Sequence, residues 1–323
     1  PIGAGLSGSW NTKRTAPKRG RNRTEREQRN MDKEQTAIAR LQEAAFYSES
    51  LYDGAPLIVT TSGGKDSDVC LALAQRAGIR FEVMHSHTTA DAPETVYHIR
   101  DTFRRLEARG IKCTINKPVY KNRPVSMWTL IPQKLMPPTR FMRYCCAVLK
   151  EKGGAGRMIT TGVRWAESVK RRKNRAALET FSSKKESKIL LNDNDDRRLF
   201  ETCALKAKRI CNPIIDWEDS DIWNYIESEH ITTNPLYQCG FRRVGCIGCP
   251  VAGRKKMLKG FARYPTYQLA YIRAFDRMLE ERFRRGKMDG SWKPGTTGID
   301  VFHWWIGDDV LEGQVSFDDG GGS

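Results

Sequence analysis

Two rhythms of apolar residues alternate along most of this chain. Ile38, Leu41, Ala45 and Tyr47 share a rough helical face, so a helix is predicted ahead of the first strand. Short apolar runs at 56–61, 80–87, 111–117 and 157–163 read as strands, and helical periodicity lies between them at 68–77, 94–109 and 126–136. Pro93 stands where the first turn of the second of these helices would accept it. Such alternation predicts an α/β fold, a parallel sheet with helices on both faces.

Farther on the pattern changes. Residues 166–206 are charge-rich and aperiodic, and read as a mobile loop or insertion. A strand is predicted over 208–215, then a compact helix from Asp219 to Glu229 with Ile222, Trp223 and Ile226 on one face. Pro265 opens a longer helix in which Tyr267, Tyr271, Phe275, Met278 and Phe283 form a core or docking stripe. The C-terminal part is therefore expected to be mostly helical.

Where the first predicted strand meets the next helix lies Ser62-Gly63-Gly64-Lys65-Asp66-Ser67. Paired glycines let the backbone turn and approach a ligand closely. Amides at the start of the helix point at that ligand, helped by the positive end of the helix dipole. Lys65 adds a charge, and Ser62 and Ser67 add hydroxyls, which makes a cradle for phosphate. The spacing is not that of the P-loop, Gly-x-x-x-x-Gly-Lys-[Ser/Thr]. Its order resembles the PP-loop of the ATP pyrophosphatases, which cleave ATP between the α and β phosphates.

Composition narrows the partners. The 323 residues, 39% hydrophobic, suffice for one large domain or a core with an appendage. A formal net charge of +17 favours phosphate-rich partners, nucleic acid among them. Residues 1–30 carry Lys13, Arg14, Lys18, Arg19, Arg21, Arg23, Arg26 and Arg29 against Glu25 and Glu27, and read as a disordered basic tail able to lie along a nucleic-acid backbone. No run approaches the roughly 20 apolar residues of a membrane span, and no segment near the start resembles a secretory signal. A cytoplasmic protein without a membrane partner is expected.

Nine cysteines then suggest reduced thiols and metal ligation in place of a disulfide framework. Cys145 and Cys146 are adjacent; Cys239 and the Cys246-Ile247-Gly248-Cys249-Pro250 run follow. A Cys-x-x-Cys pair converges two thiolates on one centre, and distant cysteines complete a set of four. Four of these five are expected to ligate, with either Cys146 or Cys239 as the fourth. An iron–sulfur cluster is the expected occupant and four-thiolate zinc its competitor. Cys70, Cys113, Cys203 and Cys211 are scattered and read as unligated.

Several segments together resemble the phosphoadenosine-phosphosulfate (PAPS) reductase family of PP-loop proteins. They are the Ser62–Ser67 loop, Asp91-Ala92-Pro93-Glu94-Thr95, Arg143-Tyr144-Cys145-Cys146 with Lys150, Gly162-Val163-Arg164-Trp165-Ala166-Glu167-Ser168, and Asn212-Pro213-Ile214-Ile215-Asp216-Trp217 leading to Asp221-Ile222-Trp223. The resemblance spans about residues 55–280. It implies an adenine-nucleotide alpha-hydrolase-like sheet, with a PP-loop domain over 31–215 and a cysteine-bearing helical part over 216–323. It further implies nucleotide binding by Ser62, Gly63, Gly64, Lys65, Asp66, Ser67, Gly162 and Arg164. Arg164 would approach the anionic end of the substrate, with Lys170, Arg171 and Arg172 as neighbours. Lys65, Asp66 and Arg164 are the expected catalytic residues, with Mg²⁺ beside ATP and Asp66 orienting the ion or capping the helix.

Sulfonucleotide reductases carry a catalytic cysteine in a C-terminal Glu-Cys-Gly motif, whereas no cysteine follows Cys249 here. The chain more closely resembles the PAPS-reductase-like sulfurtransferase of DNA phosphorothioation, which combines a PP-loop with a 4Fe-4S cluster. The leading expectation is an ATP-dependent enzyme of sulfur transfer to nucleic acid, DNA favoured over tRNA, working with partners of a sulfur-transfer or defence system. Two alternatives stand beside it: an adenylylsulfate or PAPS reductase, and a non-catalytic nucleic-acid-binding subunit of a CRISPR or mobile-element system.

Overall fold

The structure, a computed structural model, describes residues 21–151, 153–181, 188–192, 209–287 and 292–307. Helix α1 (Arg21–Leu51) opens it, followed by β1 (Leu57–Thr61), α2 (Lys65–Arg76), β2 (Phe81–Ser86), α3 (Pro93–Glu107) and β3 (Cys113–Asn116). A small hairpin, β4 (Val119–Tyr120) and β5 (Arg123–Pro124), leads to α4 (Met127–Lys134), α5 (Tyr144–Leu149) and β6 (Met158–Thr160). Then come α6 (Val169–Asn174), β7 (Leu178–Phe181), β8 (Lys188–Leu191), β9 (Arg209–Cys211) and α7 (Asp219–Ser228). Three helices close the described chain: α8 (Arg254–Arg263), α9 (Pro265–Arg284) and α10 (Gly298–Ile306).

Seven strands form one sheet in the order β3-β2-β1-β6-β9-β7-β8. The first five run parallel, with Val59 opposite Val83 on one side and Thr160 on the other. The chain builds outward from β1 to β3 and then returns to the other side of β1. The strand order therefore reverses between β1 and β6, and a crevice outside the carboxyl ends of strands is a ligand site at such a switch point. Both candidate nucleotide segments, after β1 and after β6, lie at that place.

Alternating side chains divide the sheet into two faces. Leu57 and Val59 join Leu41 of α1, Leu73 of α2, Phe103 of α3 and Ile222 of α7 in the larger core. Ile58, Ile159 and Ile210, with Met84 against them, form a small cluster on the other face. A second core gathers α4, α5, α8, α9 and α10, with Tyr271 and Phe275 of the long helix fully inside it. Phe283 of the same stripe is exposed and lies off this core.

The α/β class and the helical, cysteine-bearing C-terminal part are as expected. Three local expectations are corrected. Residues 178–181 and 188–191, inside the presumed loop of 166–206, are strands: β7 and β8 pair antiparallel and extend the sheet beyond β9. Helix α2 begins at Lys65, so Lys65, Asp66 and Ser67 form its first turn. Helix α1 begins at Arg21, inside the segment read as a tail, because nothing between Gly20 and Leu51 interrupts a helix. Of that tail, residues 1–20 lie outside the described residues, as does Cys203. No helix among the described residues is long and apolar enough to cross a membrane.

Candidate active site

Gly63 supplies the turn between β1 and α2. Its φ is +69°, and a Cβ there would meet Thr95 Cγ2 at 2.9 Å, so both backbone and space call for glycine. The loop folds around Ser67, whose Oγ donates to Gly64 O at 2.7 Å and accepts from Gly64 N at 3.2 Å. Asn234, fully buried, donates from Nδ2 to Gly63 O at 2.9 Å. Tyr237 Oη accepts from Lys65 N at 2.8 Å. The loop is thus braced by residues about 170 positions downstream.

Lys65 and Arg164 converge on two carboxylates. Lys65 Nζ lies 3.1 Å from Asp66 Oδ1 and 2.9 Å from Asp219 Oδ1, and 5.9 Å above the Trp223 ring. Arg164, only 3% exposed, donates from Nε to Asp66 at 2.7 Å, from Nη2 to Asp219 at 2.6 Å and from Nη1 to Trp217 O at 3.1 Å. All three guanidinium nitrogens are engaged, so Arg164 positions Asp66 and Asp219 at the border of the cavity. Hydrogen bonding from Lys65, with Arg164 beside it, holds the Asp219 carboxyl below the usual carboxylate range despite partial burial. Gly162 closes the arrangement from β6: a Cβ there would lie 2.9 Å from the Asp66 carbonyl carbon.

These groups line a cavity of about 650 Å³. Ser62, Gly64, Lys65, Asp66, Ser67, Gly162 and Arg164 border it, as do Arg143, Arg171, Arg242 and Arg243. Arg171 and Arg243 both pair with Glu167. Lys170 and Arg172 do not line it, and their side chains are exposed. On another wall stand Cys146 and Lys150.

Cys145 and Cys146 sit in the first turn of α5, facing Cys246 and Cys249 closely enough for their charges to act on Cys145. The Cys246–Cys249 turn is held by Ile247, whose amide donates to Ala90 O at 2.8 Å and whose carbonyl accepts from Tyr271 Oη at 3.0 Å. Within the adjacent pair Cys146 is the thiolate, lowered by a hydrogen bond from Cys145 and by Arg143, while the Cys145 thiol is raised by that same bond and by burial. Burial raises the Cys246 thiol, and Lys150 beside it is itself raised, chiefly by its interaction with Cys246. Cys239 stands apart, exposed, beside Arg263. The structure therefore brings together Cys145, Cys146, Cys246 and Cys249, and leaves Cys239 out.

The donor set bears on what these cysteines would hold. Around a single zinc ion, with Zn–S near 2.3 Å, thiolate sulfurs lie about 3.8 Å apart. Among the described residues, no three of these sulfurs lie within 4.8 Å of one another. Four thiols carried in pairs on two turns are a donor set that would suit a polynuclear cluster or, drawn closer, one zinc ion.

Sequence reading missed Asp219, Asn234 and Tyr237. The Asn-Pro-Leu-Tyr turn at 234–237 and the carboxylate opening α7 were visible, but nothing local ties either to the loop.

A model of the phosphoadenosine phosphosulfate reductase domain matches residues 56–252. An uncharacterised protein of Methanocaldococcus jannaschii is 26% identical over 211 residues, 63% of this chain and 44% of that protein. The chain thus spans under half of that relative's length. Among solved structures, a PAPS reductase from Candida auris in a phosphate complex is similar at 15% identity and a TM-score of 0.39, covering 64% of this chain and 87% of that one. A U34-tRNA thiolase from Methanococcus maripaludis with its 4Fe-4S cluster is similar at 11% identity and a TM-score of 0.37, covering 80% of this chain and 84% of the thiolase.

Proposed function

Since the chain belongs to the phosphoadenosine phosphosulfate reductase domain family, we propose that it is a PP-loop enzyme that activates an acceptor with ATP for sulfur transfer. The acceptor we assign is nucleic acid, with DNA preferred. One observation carries this reading: the Ser62–Ser67 loop and the Cys146–Lys150 wall border a single cavity. A nucleotide on the loop would then have its reacting phosphate directed toward the four-cysteine centre.

In this reading an acceptor oxygen attacks the α phosphorus, the bond to the bridging oxygen breaks, and pyrophosphate leaves; Mg²⁺, when bound, would offset the phosphate charge. A sulfur nucleophile then displaces AMP from the acceptor. The α2 amides and Lys65 offset negative charge developing on pyrophosphate. Asp66 would take the metal side of the phosphates. Cys145, Cys146, Cys246 and Cys249 would hold a 4Fe-4S cluster, which when bound supplies a site for sulfur or electrons. Arg143 and Lys150 favour the charged form of Cys146, after the hydrogen bond from Cys145, and draw anions to the same wall. The net charge of +17 suits a phosphate-rich acceptor and, with partner proteins of a sulfur-transfer system, a large complex.

The family also supports a second reading, reduction of a sulfonucleotide. Anaerobically prepared protein incubated with ATP, a sulfur donor and DNA separates the two. Pyrophosphate release that needs Lys65, together with sulfur in the DNA, is expected. Sulfite release from adenylylsulfate without ATP cleavage would overturn the proposal in favour of reduction.

A further inference from the structure

His85 is buried at the carboxyl end of β2, and its Nδ1 lies 2.9 Å from Thr61 O. With the Nδ1 proton on that carbonyl, Nε2 is left as an acceptor. It is fully enclosed and has no hydrogen-bonding partner among the described residues. A buried acceptor left without a partner is destabilising unless something satisfies it. The loop, cluster and nucleotide assignments above make no use of it.

The neighbours indicate what does. His87 is two residues on, and the period of an extended chain returns its side chain to the same side as His85. Asp91 comes back through the following turn, fixed where its Oδ2 accepts from Thr88 N at 3.0 Å. One ligand atom from each of His85, His87 and Asp91 lies within 4.8 Å of the others, and His87 Nδ1 is 3.9 Å from Asp91 Oδ2. We propose that His85, His87 and Asp91 form a second metal site, separate from the cysteines, for a divalent transition ion of the zinc class.

The donor chemistry selects that class. Two imidazoles and a carboxylate suit zinc, cobalt or ferrous iron, whereas magnesium and calcium take oxygen ligands. A tetrahedral ion with bonds of about 2.0–2.1 Å draws its ligand atoms to about 3.3 Å, a small contraction of this cluster. Metal-binding histidines commonly donate their other N–H to a carbonyl or carboxylate, which fixes the tautomer. The Thr61 carbonyl does this for His85, and Thr61 immediately precedes the nucleotide loop. Charges facing the site are Asp91 and, through it, the Cys246 thiol, with Lys150 as the nearby cation. Three protein ligands leave a fourth position open, and both His85 and Asp91 border the cavity.

The test uses full-length protein with its cysteine centre reconstituted, titrated anaerobically with Co²⁺. One equivalent with weak visible bands and no thiolate charge-transfer absorption is expected, and His87→Ala should weaken it at least tenfold. Cys239→Ser, a cysteine outside both centres, should leave it unchanged. Equal Co²⁺ affinity in wild type and His87→Ala would overturn the site, as would binding accompanied by thiolate charge transfer. X-ray absorption on the zinc-loaded wild type gives a variant-free check: two imidazole nitrogens support the site, and an all-sulfur shell refutes it.

Discussion

Arg164 and Asp66 stand 98 residues apart in sequence, yet Nε donates to Oδ1 at 2.7 Å. The bond ties the segment after β6 to the first turn of α2, across the point where the strand order reverses. Asp219 completes the arrangement from the start of α7, 2.6 Å from Nη2. Arginine is required because one planar group must reach both carboxylates and the Trp217 carbonyl together.

Arg164→Lys keeps the charge and loses the fork. Hydrogen bonds to charged groups contribute about 1.5–3 kcal/mol, and the exposure of Asp219 reduces its share. A stability loss of about 1–3 kcal/mol in urea denaturation is expected, with ATP affinity down at least tenfold. Unchanged ATP binding would show that the carboxylates need no such anchor.

Two glycines of the site should separate stability from binding. Gly162→Ala places a Cβ 2.9 Å from backbone of Asp66, and neither chain can yield cheaply. Overpacking of this kind costs about 1–3 kcal/mol. At Gly64 the nearest atoms to an added Cβ are Tyr237 Oη at 3.4 Å and Ser62 Oγ at 3.5 Å, ordinary contact distances. Gly64→Ala is expected to melt within a few degrees of wild type while losing ATP binding, because on the proposed reading the methyl group would stand where the phosphates approach. Equal melting temperatures for the two variants would contradict this assignment.

What sequence made legible was whatever repeats locally. The β–α alternation, the six-residue loop and the cysteine spacing are short-range patterns, and the structure contains each. The β7–β8 pair escaped because charged residues surround its apolar ones; Leu178, paired with Leu191 and Cys211, and Leu191 are buried in the larger core only in the folded chain. Fully buried Glu179 accepts from Arg175 Nε at 2.5 Å and from Asn212 Nδ2 at 2.9 Å, an ionic interior that composition reads as surface. Arg164 was legible as a site residue, but its pairing with Asp66 and Asp219 was not, since they approach it only in the folded chain. Asn234 and Tyr237 were hidden for the same reason.

Tyr237 occupies a donor that a bound phosphate would use. Its Oη accepts from Lys65 N at 2.8 Å, so a nucleotide drawing on that amide must displace the phenol. Tyr237→Phe should cost the free protein about 1 kcal/mol, the net contribution of one hydrogen bond. The same change should raise ATP affinity by about threefold to tenfold, because the free state loses a contact that the bound state does not keep. Calorimetric titration with a non-hydrolysable ATP analogue measures it. Weaker binding by Tyr237→Phe would mean that the phenol contacts the nucleotide.

The cysteines give the sharpest division between expectation and geometry. Sequence spacing left Cys146 and Cys239 as rivals for the fourth ligand. In the fold, Cys145, Cys146, Cys246 and Cys249 act on one another, whereas Cys239 is exposed beside Arg263. Anaerobic reconstitution of Cys239→Ser should therefore give wild-type iron and sulfide content and the same visible absorption. Cys146→Ser, Cys246→Ser and Cys249→Ser should each hold less iron than Cys239→Ser, since each removes one of the four thiols gathered here. Folding of each variant is checked by circular dichroism, so that lost iron is not confused with lost structure. The discriminating pair is Cys146→Ser against Cys239→Ser: loss in the second and retention in the first would require residues 238–245 to move Cys239 into the site in place of Cys146.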